Sequence, residues 1–317
     1  MTVYVLKRLG MTLVVVVLTM VFLGVLVHLV PGDPVKIILG QRAPEALSAL
    51  IRRQMELDKP VPVQVWHFLE RAFQGNLGTD FASQLPVTSI IKAALPHTLV
   101  LSLASLAFAV FAGVPLGVYA ATHPNSWTDR VVGAISISLI TVPPFVAGLF
   151  LLILFSVKLD VLPAIGSGSF SDPIDYVKHL ILPSVALAVT WIGYLARLIR
   201  TSMLEVLSAN HIRTARAFGL SDRVIFYKYA LKNAIIPTVA VLGVGLGSLM
   251  GGAIFVEVIF TRPGLGSLIF DSIEARNYPI VRGAVLVVAL LFVGANLIAD
   301  LSYRFLDPRI RLELGRT

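Results

Sequence analysis

The chain has 317 residues, of which 56% are hydrophobic and 14% charged, with a mean hydropathy of +0.85 and a net charge of +8. That balance excludes a soluble domain of ordinary surface composition and points to a bilayer protein. Cysteine is absent, which excludes disulfides, thiolate metal sites and cysteine catalysis, and the six histidines show no metal-ligand spacing on one helix face.

A helix needs about 20 apolar residues to cross a hydrocarbon core of roughly 30 Å. Six runs of that kind lie near residues 9–30, 97–121, 131–157, 180–198, 234–260 and 283–303. The short alternating strands of a membrane barrel are absent, so the expected fold is all-α and polytopic, with six transmembrane helices. The expected organisation is a first span at 1–30, an external cap at 31–96, a five-helix core at 97–304 with a basic loop at 200–233, and a tail at 305–317.

The first run follows Lys7 and Arg8 and ends in "HLVPGDP" without a small-residue cleavage site, so it reads as a retained span. Within 31–96 the pattern predicts helices over 44–57 and 63–73, Pro44 suiting a first helical turn and "QGNLG" at 74–78 marking a turn. The third run is interrupted by Pro143 and Pro144, and the fourth contains Trp191. Paired prolines bend a helix, so these three are candidate pathway or gate residues, beside the plainer reading of a structural kink.

Between the fourth and fifth runs lie Arg200, Arg213, Arg216, Arg223, Lys228 and Lys232. The preceding hairpin instead sets Lys158 and Lys178 against Asp160, Asp172 and Asp175. By the positive-inside rule the basic loop is cytoplasmic, and with six spans both termini share its side. The basic balance is then a statement of sidedness rather than of nucleic-acid binding.

Inside this loop the spacing predicts a helix over 209–218, with Ile212, Ala215 and Gly219 on one side and Arg213 and Arg216 beside them. Gly219 is suited to end it in a left-handed conformation, and Ser221 or Asp222 to cap the next helix. A side kept small at Ala215 and Gly219 suits docking in a partner's groove; resting on lipid headgroups is the alternative. Ala215, Gly219 and Ile225 also match helix-turn-helix spacing, but membrane spans on both sides leave no room for the third helix and core of a DNA-binding domain.

In the fifth run Gly243, Gly247 and Gly251 recur every four residues and predict a face packed on another helix, within the chain or in a second subunit. Glu257 reads either as a contact to substrate or binding protein or as a pair with Arg262 or Arg276. Asp300 is one helical turn from Arg304, a spacing for an ion pair.

"HIRTARAFGL" at 211–220 resembles the cytoplasmic EAA loop of permease subunits of binding-protein-dependent ABC importers, specifically the dipeptide, oligopeptide and nickel permease family. The likeness covers nearly the whole chain. It includes "HLVPGDP" at 28–34, "ELDKPVPVQ" at 56–64, "GNLGTDF" at 75–81, "ALPHTLVLS" at 94–102, "SMLEVL" at 202–207, "VEVIFTRPGLG" at 256–266, "RNYPIVRG" at 276–283 and "DPRIR" at 307–311. The Glu-Ala-Ala of the general motif falls on Arg213, Thr214 and Ala215 and its glycine on Gly219, so the second alanine and the glycine match. The closing hydrophobic-proline pair corresponds to Ile236 and Pro237 at a longer spacing.

The resemblance implies a type I importer permease in a bacterial inner membrane. It implies partnership with a second permease, two ABC ATPase subunits and an extracytoplasmic binding protein, besides membrane lipid, and no nucleic acid. Glu205, Arg213, Thr214, Ala215, Arg216, Gly219 and Ser221 would form the ATPase-coupling loop. The chain has no GxxxxGK[ST] sequence, so no cofactor of its own is expected, and ATP and Mg would be used by the ATPase subunits. Short peptides are the first expectation for cargo, with nickel chelates, glutathione and glycosides carried by similar systems. An ion-coupled secondary transporter is the rival from another class.

Overall fold

The computed structural model describes residues 2–29, 35, 44–54 and 56–306. The expected Asp300–Arg304 pair, the stretch at 30–34 and the tail with "DPRIR" lie outside the described residues and side chains. Among those described there is no strand, only an isolated bridge between Thr79 and Pro86. In chain order the helices are α1 (Thr2–Leu29), α2 (Glu45–Gln54), α3 (Val61–Phe73), α4 (Val87–Thr122), α5 (Trp127–Thr141), α6 (Pro144–Lys158), α7 (Pro173–Leu207), α8 (Asn210–Ala217), α9 (Asp222–Ile259), α10 (Leu265–Glu274) and α11 (Tyr278–Leu306).

The all-α, polytopic reading holds. By length and composition, α4, α7, α9 and α11 each suffice to cross a bilayer. The third run is a helix pair, α5 and α6, bent by 102° where the chain passes through Val142 and Pro143. The described residues thus supply four spans, or five with the bent pair taken as one; α1 adds a shorter apolar stretch, Gly10–Val25. Large apolar side chains such as Phe111 and Phe150 stand outward, as lipid permits and water does not.

Helix α4 begins at residue 87 rather than 97. Its first turns carry Lys92 and Ser89 and fall below the hydropathy of a span, yet Val87, Ile91 and Ala94 repeat at helical spacing and are buried.

Two compact units emerge, one of Met1–Thr98 with Pro263–Val293, the other of Leu99–Arg262 with Gly294–Thr317. In the first, Val16 and Met20 of α1 pack with Val65 and Phe68 of α3 and Leu286 of α11, while Val87 and Ile91 pack with Leu265, Ile269 and Ala284. The Thr98 hydroxyl accepts from the Leu265 amide at 2.7 Å, satisfying a donor that the start of α10 leaves free.

In the second unit α7 is the central helix. A Cβ on Gly117 would lie 2.5 Å from the Ala196 carbonyl oxygen, and one on Gly193 would collide with the Ser136 carbonyl. Only glycine lets α4 and α5 approach α7 so closely. Leu101, Leu187, Leu249 and Phe260 fill one core there, and Ile199, Met203, Ile212 and Ile225 another.

Candidate coupling surface

Helix α7 ends at Leu207, the chain turns through Ser208 and Ala209, and α8 begins at Asn210 without a side-chain cap. Two hydrogen bonds close α8. The Gly219 amide donates to the Arg216 carbonyl (2.9 Å) and the Leu220 amide to the Ala215 carbonyl (3.3 Å), with Gly219 at φ +75°. This is the Schellman arrangement, and it fits the left-handed role predicted for the glycine. Ser221 occupies the N-cap position of α9 with no side-chain capping bond, and a π-helical turn at Ile225–Ala230 follows.

The orientation of α8 corrects the expected docking side. Ile212 and Ala215 are buried against Val118, Ala121, Ile199, Met203, Ile225, Ala230 and Ala234. Ala215 is therefore on the side by which α8 is seated on its own chain, while Gly219, expected on the same side, is exposed. Periodicity marks a covered face but not what covers it. The outward surface consists of Arg213, Thr214, Arg216 and Gly219, with Phe218 82% exposed at its end and Glu205 exposed on the last turn of α7. A Cβ on Gly219 would meet nothing within 4 Å, so its backbone conformation, not crowding, selects glycine there.

An ion pair fixes the base of this surface. Asp129, 5% exposed, accepts from Arg200 Nε (2.5 Å) and Nη2 (2.7 Å) in a two-pronged geometry, and from the Asn125 amide at 3.0 Å. The Asp129 amide in turn donates to Ser126 Oγ, the N-cap of α5. In the sequence Arg200 shows only as one of the charges that set topology. Its partner had a signal: Ser126-x-x-Asp129 before an apolar run is a capping-box spacing. Gly113-x-x-x-Gly117 was a similar missed signal for close packing.

The weaker candidates separate. A Cβ on Gly243 would collide with Ala299 of α11, so the predicted glycine face packs within the chain at that level; Gly247 is buried and Gly251 faces open space. Trp191 covers Gly245 and meets Tyr194 edge-on at 5.6 Å. Pro143 and Pro144 start α6 at the bend, where the Thr190 hydroxyl donates to the Val142 carbonyl at 3.2 Å.

Glu257 is fully buried, which opposes the reading of a residue facing an open pathway. Its charge acts on Arg262, also fully buried, whose Nη2 donates to the Tyr176 hydroxyl at 2.6 Å and whose guanidinium lies 5.0 Å from that ring's centre. Burial works to lower the Arg262 pKa, and Tyr176 and Glu257 oppose it.

In the first unit charge is paired within the chain. Glu56 gathers Lys59 (3.7 Å), His67 (3.2 Å) and Arg71 (3.4 Å). Burial pushes the Asp80 carboxyl up, but hydrogen bonds from Ser83, Asn277 and the Ala82 and Ser83 amides outweigh it and hold Asp80 below the ordinary carboxylate value.

Similarity to known proteins follows the same outline. A family model described as "Binding-protein-dependent transport system inner membrane component" matches residues 113–312, and one for the N-terminal part of such membrane components matches residues 1–104. The glutathione transport system permease protein GsiC of Salmonella choleraesuis (strain SC-B67) is 39% identical over 308 residues, covering 97% of this chain and 98% of its own. Its counterpart in Pectobacterium atrosepticum is 38% identical over the same coverage. Among solved structures, the inward-facing MetNI methionine ABC transporter has a TM-score of 0.58 at 20% identity, covering 69% of this chain and 96% of its own. An amino acid ABC transporter structure has 0.52 at 17% identity, covering 72% and 99%. These two likenesses concern the fold alone.

Proposed function

From the chain's membership of the family of binding-protein-dependent ABC importer permeases, we propose that it forms the translocation pathway of an importer for short peptides, with glutathione, a tripeptide, the first cargo to test. The relatives named for glutathione transport support this substrate class. In this reading the pathway is completed by a second, similar permease. Two ATPase subunits, which use ATP and Mg, bind on the cytoplasmic side, and an extracytoplasmic protein delivers the cargo. Six spans would leave both termini in the cytoplasm with the basic loop.

The outward cationic surface of α8 is the observation that carries the coupling role. Arg213, Thr214, Arg216 and Gly219, flanked by Glu205 and Ser221, form a rigid convex surface of the sort that fits a partner's groove. Its seat on Ile212 and Ala215 and the nearby Asp129–Arg200 pair give a displacement of α8 a firm path into α7 and α5. ATP-driven closure of the ATPases would then bias the spans between inward-open and outward-open states.

The test is uptake by the complete importer in proteoliposomes, with labelled glutathione, a dipeptide and a nickel chelate as cargo. ATP-dependent uptake of glutathione or dipeptide, abolished without the binding protein, is expected. Uptake of the nickel chelate alone would overturn the substrate class, and ATP-independent uptake driven by an ion gradient would overturn the mechanism.

A further inference from the structure

Helix α3 leaves large aromatic side chains exposed and buries a polar one. Val65 and Phe68 pack on α1, as expected of a helix held against another. The opposite side carries Trp66, 69% exposed, and Phe73, 97% exposed, while the most deeply buried side chain of the helix is polar. That residue, Gln64, is 1% exposed; it donates to the Lys59 carbonyl (2.8 Å) and accepts from Arg282 Nη2 (2.9 Å). His67 and Arg71 are likewise drawn to Glu56. A helix bathed in water shows the reverse, with its polar residues outward.

The outward aromatics continue the lipid-facing surface of α1. A Cβ on Gly24 would lie 2.8 Å from Val61 Cγ1, so the start of α3 is pressed on α1 at that level. From there, Leu13, Val17 and Val21 share with Trp66, Leu69 and Phe73 an open apolar groove of about 610 Å³. Positions 13 to 24 cover about 16 Å of helix at 1.5 Å per residue. That is about half of a hydrocarbon core roughly 30 Å thick.

We propose that α3 is a membrane helix and not part of a water-exposed cap: it lies along α1 with its Trp66–Phe73 side among phospholipid acyl chains. Glu70 lies on the same outward side, so its carboxylate would have to reach along the helix toward the headgroups. The proposal rests on α1 being a membrane span, as in the reading above.

The absence of cysteine makes the test direct. Trp66→Cys, Phe73→Cys and, as a water-facing reference, Asp58→Cys each receive a nitroxide label in the complete importer, reconstituted in nanodiscs of phosphatidylethanolamine and phosphatidylglycerol. The ratio of collisions with dissolved oxygen to collisions with a water-soluble nickel chelate is measured by spin resonance. The ratio at 66 and 73 is expected to be several-fold that at 58. A ratio equal to that at 58 would overturn the proposal in favour of a watery surface open to the binding protein. Labels shielded from both probes would overturn it in favour of a covering protein subunit. All three positions are exposed, so the fold is not at stake. If ATP-driven uptake persists in the labelled proteins while either of those results appears, the placement of α3 fails and the permease reading stands.

Discussion

Charge stands open in the basic segment at 208–222 and is paired within the chain around Glu56 and Asp80. On α8, the Arg213 and Arg216 side chains make no ion pair among the described residues and stand in the open. In the other stretch Glu56 draws Lys59, His67 and Arg71, and Asp80 collects four donors. Cations already bound within the chain add rigidity but exert little pull on anything else. Uncommitted cations on a rigid helix attract and orient an acidic partner surface.

The largest effect is expected beneath the outward surface. Asp129→Ala would strand Arg200 and cost about 2–3 kcal/mol, less than for a fully buried pair because the Arg200 side chain is 32% exposed. Thermal unfolding in detergent should show that loss, and the double variant with Arg200→Ala should recover part of it. A double variant as unstable as the sum of the two singles would mean that the pair is not what seats α8.

Gly219→Val comes next, at about 1–2 kcal/mol for a branched residue held in the left-handed region. Membrane insertion should persist while ATP-driven uptake falls sharply. Gly219→Asn, which tolerates that conformation, should keep most uptake. Normal uptake by the valine variant would remove α8 from the coupling role.

Asp80 sharpens the paired half of the comparison. Its carboxyl pKa is held below the unfolded value, so its contribution is fully present above about pH 4 and lost as pH falls further. Asp80→Ala should cost about 1–2 kcal/mol through lost charge-assisted hydrogen bonds at neutral pH. The difference in unfolding temperature from the parent should shrink toward pH 3; a difference that stays constant with pH would contradict the assignment.

Arg213→Ala and Arg216→Ala should change stability by less than about 0.5 kcal/mol, as exposed positions do. Both should weaken association with the ATPase subunits and flatten its dependence on salt, measured by co-purification across ionic strengths. An unchanged association would place the recognition on Phe218 or elsewhere.

Hydropathy made the membrane class and the helical runs legible, because a span must be apolar over a length fixed by the bilayer. The helix end at Gly219 was legible for a similar reason: few residues adopt its conformation. What escaped depends on contacts between distant positions. Asp129 and Arg200 lie 71 residues apart, and no local pattern joins them. Ala215 looked available because a helical stripe looks the same whether a neighbouring span or another subunit covers it. The cap expected at 31–96 showed its helix near 63–73, but not that Trp66 and Phe73 would face outward while Gln64 faced in. Prolines announced the break in the third run, whereas its 102° angle depends on packing.

Helices α5 and α7 are fastened at three levels: Val142 to Thr190, Ser136 to Gly193, and Asp129 to Arg200. Contacts at three levels along the pair resist sliding of one helix on the other. A push received at α8 would move two spans at once, and the corner at Val142 and Pro143 would have to act as the elbow.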